Sequence, residues 1–208
     1  MAQPAGPLQG PRIIGWVTLA LVVMSALLLG VYGTGESGVR VMIRATARTS
    51  IVLFTLAFTA SSAAQLWPQA LTRWGLRNRR YLGLSFAVSH TVHLVFIVYA
   101  VAVAGFLELN MVALIGGGIG YVFVAMMVAT SFDGAVKWLG RHRWQRLHTV
   151  GAYYIWFIFL QTYLPRACME SLAYLPPVLL LIGGLAVRLV AWRSRAARAA
   201  TAANAAAT

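Results

Sequence analysis

The chain consists mainly of long apolar stretches separated by short polar segments. The hydrocarbon core of a bilayer is about 30 Å thick, and a helix needs about 20 apolar residues to cross it. Lipid offers no partner to unpaired backbone groups, so such stretches must be helical. Six of them occur, at Ile13–Tyr32, Thr49–Leu66, Tyr81–Ala104, Met111–Ser131, Leu147–Leu164 and Leu175–Trp192. We therefore predict an all-α integral membrane bundle of six transmembrane helices.

Glycine and proline predict where several of these helices end. A glycine-rich loop follows the first stretch at residues 33–38. Trp67-Pro68 is predicted to end the second helix and Pro165 the fifth. Proline lacks a backbone N–H, and it disfavours the helical conformation in the residue before it.

These boundaries divide the chain into three parts. Residues 1–12 are predicted to be a cytoplasmic leader, and residues 13–192 the six-helix membrane domain. Residues 193–208 are rich in alanine with scattered arginines. Terminal segments without a packing partner are poorly ordered, so we predict a cytoplasmic tail that is disordered or a frayed helix.

The composition indicates lipid as the main surroundings of the protein. Of 208 residues, 60% are hydrophobic and only 10% are charged, whereas a soluble domain carries about 25% charged residues. The formal net charge is +13. The basic residues of the chain lie between apolar stretches rather than on one folded polar face, and this placement argues against nucleic acid as a partner.

The basic residues also predict the orientation of the helices. Cytoplasmic loops of membrane proteins carry an excess of Lys and Arg. With the N-terminus inside, four of the 17 basic residues lie outside and the others inside. The outer four are Arg40, Arg44, Arg48 and Arg166. We predict both termini in the cytoplasm and a location in the cell inner (plasma) membrane.

Three histidines are the candidates for chemistry within the apolar stretches. His90 and His93 lie in the third stretch, and His148 lies at the start of the fifth. Ionisable groups inside membranes are rare and are functional candidates by default. Neutral imidazole is a ligand of haem iron. Alternatively, such a histidine only bonds a neighbouring helix, an interaction worth about 0.6–2 kcal/mol.

A run of glycines in the fourth stretch admits two interpretations. Gly116, Gly117, Gly118 and Gly120 resemble a phosphate-binding motif only superficially, because no strand precedes them. Close packing of the helix against a neighbour is the favoured interpretation. A flat cofactor lying against this glycine face is the functional alternative.

Two sequence blocks resemble a known family. The first is Arg79-Arg80-Tyr-Leu-Gly-Leu84, followed by a histidine in the same helix. The second runs from Ala129-Thr-Ser-Phe-Asp-Gly134 through Trp138-Leu-Gly140 to Trp144-Gln-Arg-Leu-His148. Both resemble the ferric-reductase-like transmembrane domain, in particular the haem-binding membrane subunits of bacterial methionine sulfoxide reductase systems. The resemblance covers about residues 40 to 192.

The resemblance implies a six-helix bundle with b-type haem that passes electrons from quinol or flavin to a partner. It implies that His93 in the third helix is a haem ligand. The family pattern has two ligating histidines in the fifth helix, and these positions fall on His148 and Gln161. The pattern is broken at Gln161, because glutamine is a poor haem ligand.

Helix geometry makes this departure informative. At about 1.5 Å rise per residue, His93 and Gln161 lie almost level, and His148 lies roughly 16 Å nearer the inner surface. One haem does not easily take both His93 and His148. His90 could replace the missing ligand or hydrogen-bond within the site, His93 could hold a five-coordinate haem, or His148 could hold an inner haem alone.

Two function hypotheses follow from the sequence. The first is an electron-transfer subunit with haem b, rather than a complete reductase, with FMN or quinone as further candidate cofactors and a separate redox partner protein. In it Arg79 and Arg80 are inner-surface anchors or hold haem propionates or a flavin phosphate. The second, suggested by Gln161, is a haem-free bundle that serves as a non-redox membrane partner or binds a small molecule.

Overall fold

The computed structural model describes residues 8–207, and this range is helical with no strand. The all-α prediction is therefore confirmed. Most of the predicted leader, residues 1–7, lies outside the described residues. The helices are α1 (Arg12–Tyr32), α2 (Glu36–Leu66), α3 (Ala70–Arg77), α4 (Arg79–Val98), α5 (Met111–Ala129), α6 (Ala135–Leu139), α7 (Arg141–Met169) and α8 (Leu175–Ala207).

Five helical segments within the described range are long and apolar enough to cross a membrane. They comprise α1, α2, α5 and α8, together with α4 and the π-helical turn Tyr99–Val103 that continues it. The remaining predicted span lies in α7, which has 29 residues. Its first turns carry Arg141, Arg143 and Arg146, and these residues lower the mean hydropathy of the helix.

Two boundaries differ markedly from the sequence prediction. The second helix begins at Glu36 rather than Thr49, so Arg40 lies on α2, where it pairs with Glu36 one turn earlier (2.8 Å). The fifth predicted span lies in α7, and this helix continues through Pro165 to Met169. Proline removes a single N–H there, and the helix ends one turn later, so the loss of one hydrogen bond is tolerated.

The alanine-rich tail, predicted to be disordered or a frayed helix, is helical in the structure. Residues 193–207 continue α8 without a break. Alanine has the highest helix propensity of all residues, and here the tail extends a helix that is already nucleated by the packed residues before it.

α2 lies at the centre of the bundle, where it contacts α1, α3, α4 and α8. Small polar residues allow α2 and α4 to approach closely, and the buried hydroxyls of Ser50 and Ser89 are 3.0 Å apart. Beside them the rings of Phe54, Phe86 and Phe159 meet edge to face. This aromatic cluster joins α2, α4 and α7, and two of its members, Phe54 and Phe86, line the cavity described below.

The glycines of α5 divide between packing and open space. A side chain at Gly116 would meet Ile158 at 3.4 Å, and one at Gly120 would meet Tyr154 at 3.8 Å. The Tyr154 hydroxyl also donates to the Gly116 carbonyl (3.0 Å). Close helix packing is thus confirmed for these two glycines. Side chains at Gly117 and Gly118 would meet nothing within 4 Å.

The contact between α5 and α7 makes a prediction for stability. A β-carbon at Gly151 of α7 would lie 3.1 Å from both Met127 and Phe123 of α5. We expect Gly151→Val to lower the free energy of unfolding by about 1–3 kcal/mol, because overpacking forces neighbours from their preferred rotamers. Thermal unfolding in detergent measures the effect. Gly118→Val is the control, and equal melting temperatures for the two variants would contradict the packing described.

Candidate functional site

A cavity opens at the end of the bundle where α4 and α7 begin. Its volume is about 720 Å³, which is within the range of about 300–1,000 Å³ that is usual for cofactor sites. The walls are apolar and come from α2, α4 and α5. They include Phe54, Phe58, Phe86, Val124 and Met127. The polar residues that line the cavity include His148, Arg79, Arg80, Arg188 and Arg195.

His148 is held in this cavity by two contacts. Its Nε2 lies 3.0 Å from the hydroxyl oxygen of Thr130, and Trp144 stacks on its ring with centroids 4.3 Å apart. The Thr130 hydroxyl donates its one proton to the Met126 carbonyl (2.7 Å). In the tautomer with the proton on Nε2, His148 is the donor to Thr130 and Nδ1 carries the lone pair.

The local backbone explains how His148 reaches the cavity. Gly140 separates α6 from α7 with φ of +80°, a conformation that glycine adopts without the strain of a β-carbon. α7 begins immediately after it, at Arg141. The indole N–H of Trp144 donates to the Thr130 carbonyl (2.9 Å) and anchors the first turn of α7 to the end of α5.

Arg79 and Arg80 contribute to the same cavity from the first turn of α4. Arg80 forms an ion pair with Asp133 in the α5–α6 connection. The Nε–H of Arg79 donates to the Ala57 carbonyl of α2 (3.2 Å). Arg79, Arg80 and His148 thus line one cavity, and their role in holding a cofactor stays a prediction.

Arg188 of α8 is a site residue that the sequence analysis missed. Its Nη1–H donates to the Phe58 carbonyl (2.7 Å) and its Nε–H to the Tyr153 hydroxyl (3.2 Å). The guanidinium also lies over both rings, 4.3 Å from the centroid of Phe58 and 4.9 Å from that of Tyr153. The available signal was an arginine within an apolar helix, which is a functional candidate by default.

His93 lies apart from this cavity, between α4 and α2. Its Nδ1 is 3.1 Å from the Ile43 carbonyl oxygen and 3.1 Å from the Thr46 hydroxyl oxygen. The Thr46 hydroxyl donates its proton to the Met42 carbonyl (2.7 Å). Nδ1–H of His93 is therefore a donor, and Nε2 keeps its lone pair. Metal-ligating histidines are commonly oriented by such a bond from the other ring nitrogen.

His90 is packed among aromatic rings next to His93. Its ring centroid is 5.4 Å from that of His93, 5.3 Å from Phe86 and 4.6 Å from Tyr121. Its Nδ1 is buried and has no hydrogen-bond partner within residues 8–207. Burying a polar atom without a partner is costly, which is a reason to suspect a function for this nitrogen.

The structure thus separates the predicted residues into two groups. His148, Arg79 and Arg80 line the cavity, whereas His90, His93 and Gln161 are not among its lining residues. Gln161 lies beside the glycines of α5, where a side chain at Gly116 would be 3.7 Å from its amide nitrogen. No group of three or more His, Cys, Asp or Glu side chains that could hold a metal ion occurs in the described part of the chain.

The cavity suits a flat, anionic prosthetic group such as haem. Its walls offer aromatic and aliphatic contacts for a macrocycle, and its arginines match carboxylates. His148 offers an imidazole whose Nδ1 has no hydrogen-bond partner in the described structure, while Nε2 becomes available if the bond to Thr130 is exchanged for a bond to a metal. The imidazole and the arginines of the cavity therefore fit a prosthetic group that already contains iron.

Comparisons with protein-family models, curated proteins and solved structures give no match to this chain. The fold and the cavity alone therefore define the class of protein: across residues 8–207 it is a helical bundle with five membrane-compatible helices and a cationic cavity with aromatic residues in its walls at one end.

Proposed function

We propose that this chain is a haem b-binding membrane subunit that transfers electrons, built on a ferric-reductase-like transmembrane bundle. The cavity beside His148 is the observation that carries the proposal. It combines the volume for a cofactor, apolar walls from three helices and several arginines near a potential metal ligand.

In this proposal His148 would hold the iron of a haem in the cavity. Arg79 and Arg80 offset the charges of the haem carboxylates, and Trp144 keeps the imidazole ring in position. The phenylalanines would lie against the macrocycle, and the ligand and its surroundings together would set the reduction potential. Bound haem supplies a one-electron carrier that cycles between ferrous and ferric iron.

His93 is proposed as the ligand at a second position, in the other half of the bundle. Its bonded Nδ1–H leaves Nε2 for a metal, and the unpaired Nδ1 of His90 lies in the adjacent ring. Since about 16 Å of helix rise separates His93 from His148, each would need its own haem. Gln161 is proposed as a nearby polar contact rather than a ligand.

Quinol or a flavin such as FMN is the proposed electron donor, and a separate redox protein is the proposed acceptor.

The haem-free alternative is favoured by one specific observation. Nε2 of His148 already bonds Thr130, and Gln161 stands where the related pattern has a histidine. In that case the cavity would bind another flat anionic small molecule, and the bundle would have no redox role.

Filling the cavity tests the proposed function. Gly83 lines it, and a side chain there would meet nothing within 4 Å, so Gly83→Trp should place an indole in the cavity without straining the bundle. We expect haem titration of the purified apoprotein to give at least about tenfold weaker binding, or about 1.4 kcal/mol. Gly117→Trp, outside the cavity but equally unobstructed, is the control. Unchanged affinity in Gly83→Trp would count against the cavity as the haem site.

We further propose that α7 is a sixth span and that both termini are cytoplasmic. At 29 residues, α7 is about 43 Å long, enough for a bilayer core. The arginines at its start favour the inside, which puts its other end outside.

Cys168 makes this topology testable. It is the chain's only cysteine, and it is exposed near the end of α7. We expect a membrane-impermeant maleimide to label it in intact spheroplasts, with Cys168→Ser as the blank. Labelling only after permeabilisation would mean the opposite orientation or a different span count.

A further inference from the structure

Two arginines from different helices meet on one turn of α2. Arg79 of α4 donates to the Ala57 carbonyl (3.2 Å), and Arg188 of α8 donates to the carbonyl of the next residue, Phe58 (2.7 Å). Consecutive carbonyls of a helix lie within a few ångströms of each other along its axis. Both arginines also line the cavity, and they lie close enough for the charge of Arg188 to repel that of Arg79.

No carboxylate compensates this pair in the described structure. The ion pairs formed there join Arg40 to Glu36, Arg80 to Asp133 and Arg166 to Glu170, and none includes Arg79 or Arg188. Asp133, the acidic residue that lines the cavity, is engaged by Arg80. Two like charges beside apolar walls without a counter-ion are unfavourable, and an anion entering the cavity would relieve this repulsion.

Arg188 is also fixed in position before any ligand arrives. Its bonds to Phe58 and Tyr153 use Nη1 and Nε, and the two rings hold the plane of the guanidinium. A guanidinium has five N–H donors, so donors remain for an anion. Ligand binding then costs little side-chain entropy, which is the advantage of a pre-organised site.

We infer that Arg79 and Arg188 form a two-guanidinium anion site that selects a flat ligand carrying two negative charges, as two carboxylates or one phosphate. This deepens the proposed function, since it rests on that proposal for the presence of a flat ligand in the cavity. It assigns to α8 a role in recognising the ligand, with the acidic end of the ligand between α4 and α8.

Metal-free porphyrins separate this inference from iron binding. Mesoporphyrin carries two carboxylates, and its dimethyl ester carries none. Fluorescence titration of the full-length apoprotein in detergent should give at least tenfold tighter binding of the diacid than of the ester. Arg188→Gln should remove most of this preference by weakening the diacid and leaving the ester within about twofold. Arg188→Lys should retain part of the preference for the diacid, because lysine keeps the positive charge but lacks the planar set of N–H donors of the guanidinium.

Two controls keep the outcomes distinct. Arg193→Gln, a change to an α8 arginine that is not among the cavity lining, should keep the preference. FMN and riboflavin, which differ by a phosphate, repeat the comparison without a porphyrin. If the protein takes up no haem but still prefers the acidic probes in a way that depends on Arg188, the proposed function is refuted and the anion site stands. Equal binding of acid and ester, an unchanged preference in Arg188→Gln, or no binding of any of the four probes would overturn the inference.

Discussion

Replacing His148 by alanine is expected to remove the absorbance of the cavity haem. Loss of a group that merely orients a metal ligand typically lowers affinity about 10- to 100-fold, and loss of the ligand itself should cost more. The Thr130 hydroxyl keeps its bond to the Met126 carbonyl in this variant, so no buried polar group loses its only partner and the fold should persist. Visible spectra and haem per chain of the purified variant measure the effect.

His142→Ala is the matched control, because His142 lies on the same helix but is exposed. We expect it to retain the wild-type spectrum. Equal haem content in the two variants would exclude His148 as the ligand, whatever the cavity holds.

Replacing His93 by alanine is the second change with a large expected effect. The haem at the second position should be lost while the signal that depends on His148 stays, and the double variant should be colourless. The backbone around Ile43 is helical, so its carbonyl keeps an intrahelical partner, and the loss of one bond between α4 and α2 should cost only about 0.6–2 kcal/mol. The haem-to-chain ratio therefore reports ligation rather than unfolding.

Thr46→Val distinguishes ligation by His93 from a merely structural role. It removes one acceptor of the Nδ1–H bond and keeps the shape of the side chain, so haem affinity at the second position should fall about 10- to 100-fold. If His93→Ala and Thr46→Val both leave the haem content and spectrum unchanged, His93 serves only to join two helices.

The positions of α1, α4 and α5 could be predicted from the sequence because apolarity and helix coincide there. Apolarity and helix formation do not coincide in α2, where a polar helical segment with Arg40 precedes the apolar one. They also do not coincide in the alanine-rich end of α8. Hydropathy reports which residues suit lipid, whereas helix formation also follows propensity and local pairs such as Glu36 with Arg40.

The site was predictable only in part for a similar reason. His148, Arg79 and Arg80 stand out by residue type and by their place at the ends of apolar stretches. Arg188 was counted as an ordinary inner-side cation, because its significance depends on Phe58 and Tyr153, which lie on two other helices. Nor could the sequence indicate that His90 and His93 lie away from the cavity. The position of a residue in a helix gives its depth along the helix axis and the side of the helix on which it lies, but not which other helix packs against it.

Spectroscopy of the wild-type chain tests the central claim most directly. The protein is expressed with an ample haem supply, purified in detergent, and recorded oxidised and after dithionite reduction, with pyridine haemochrome to count haem per chain. We expect a Soret band that shifts on reduction and at least one haem b per chain. Pure, folded protein that carries no metalloporphyrin, even after reconstitution with haem, would contradict electron transfer and leave only the membrane bundle.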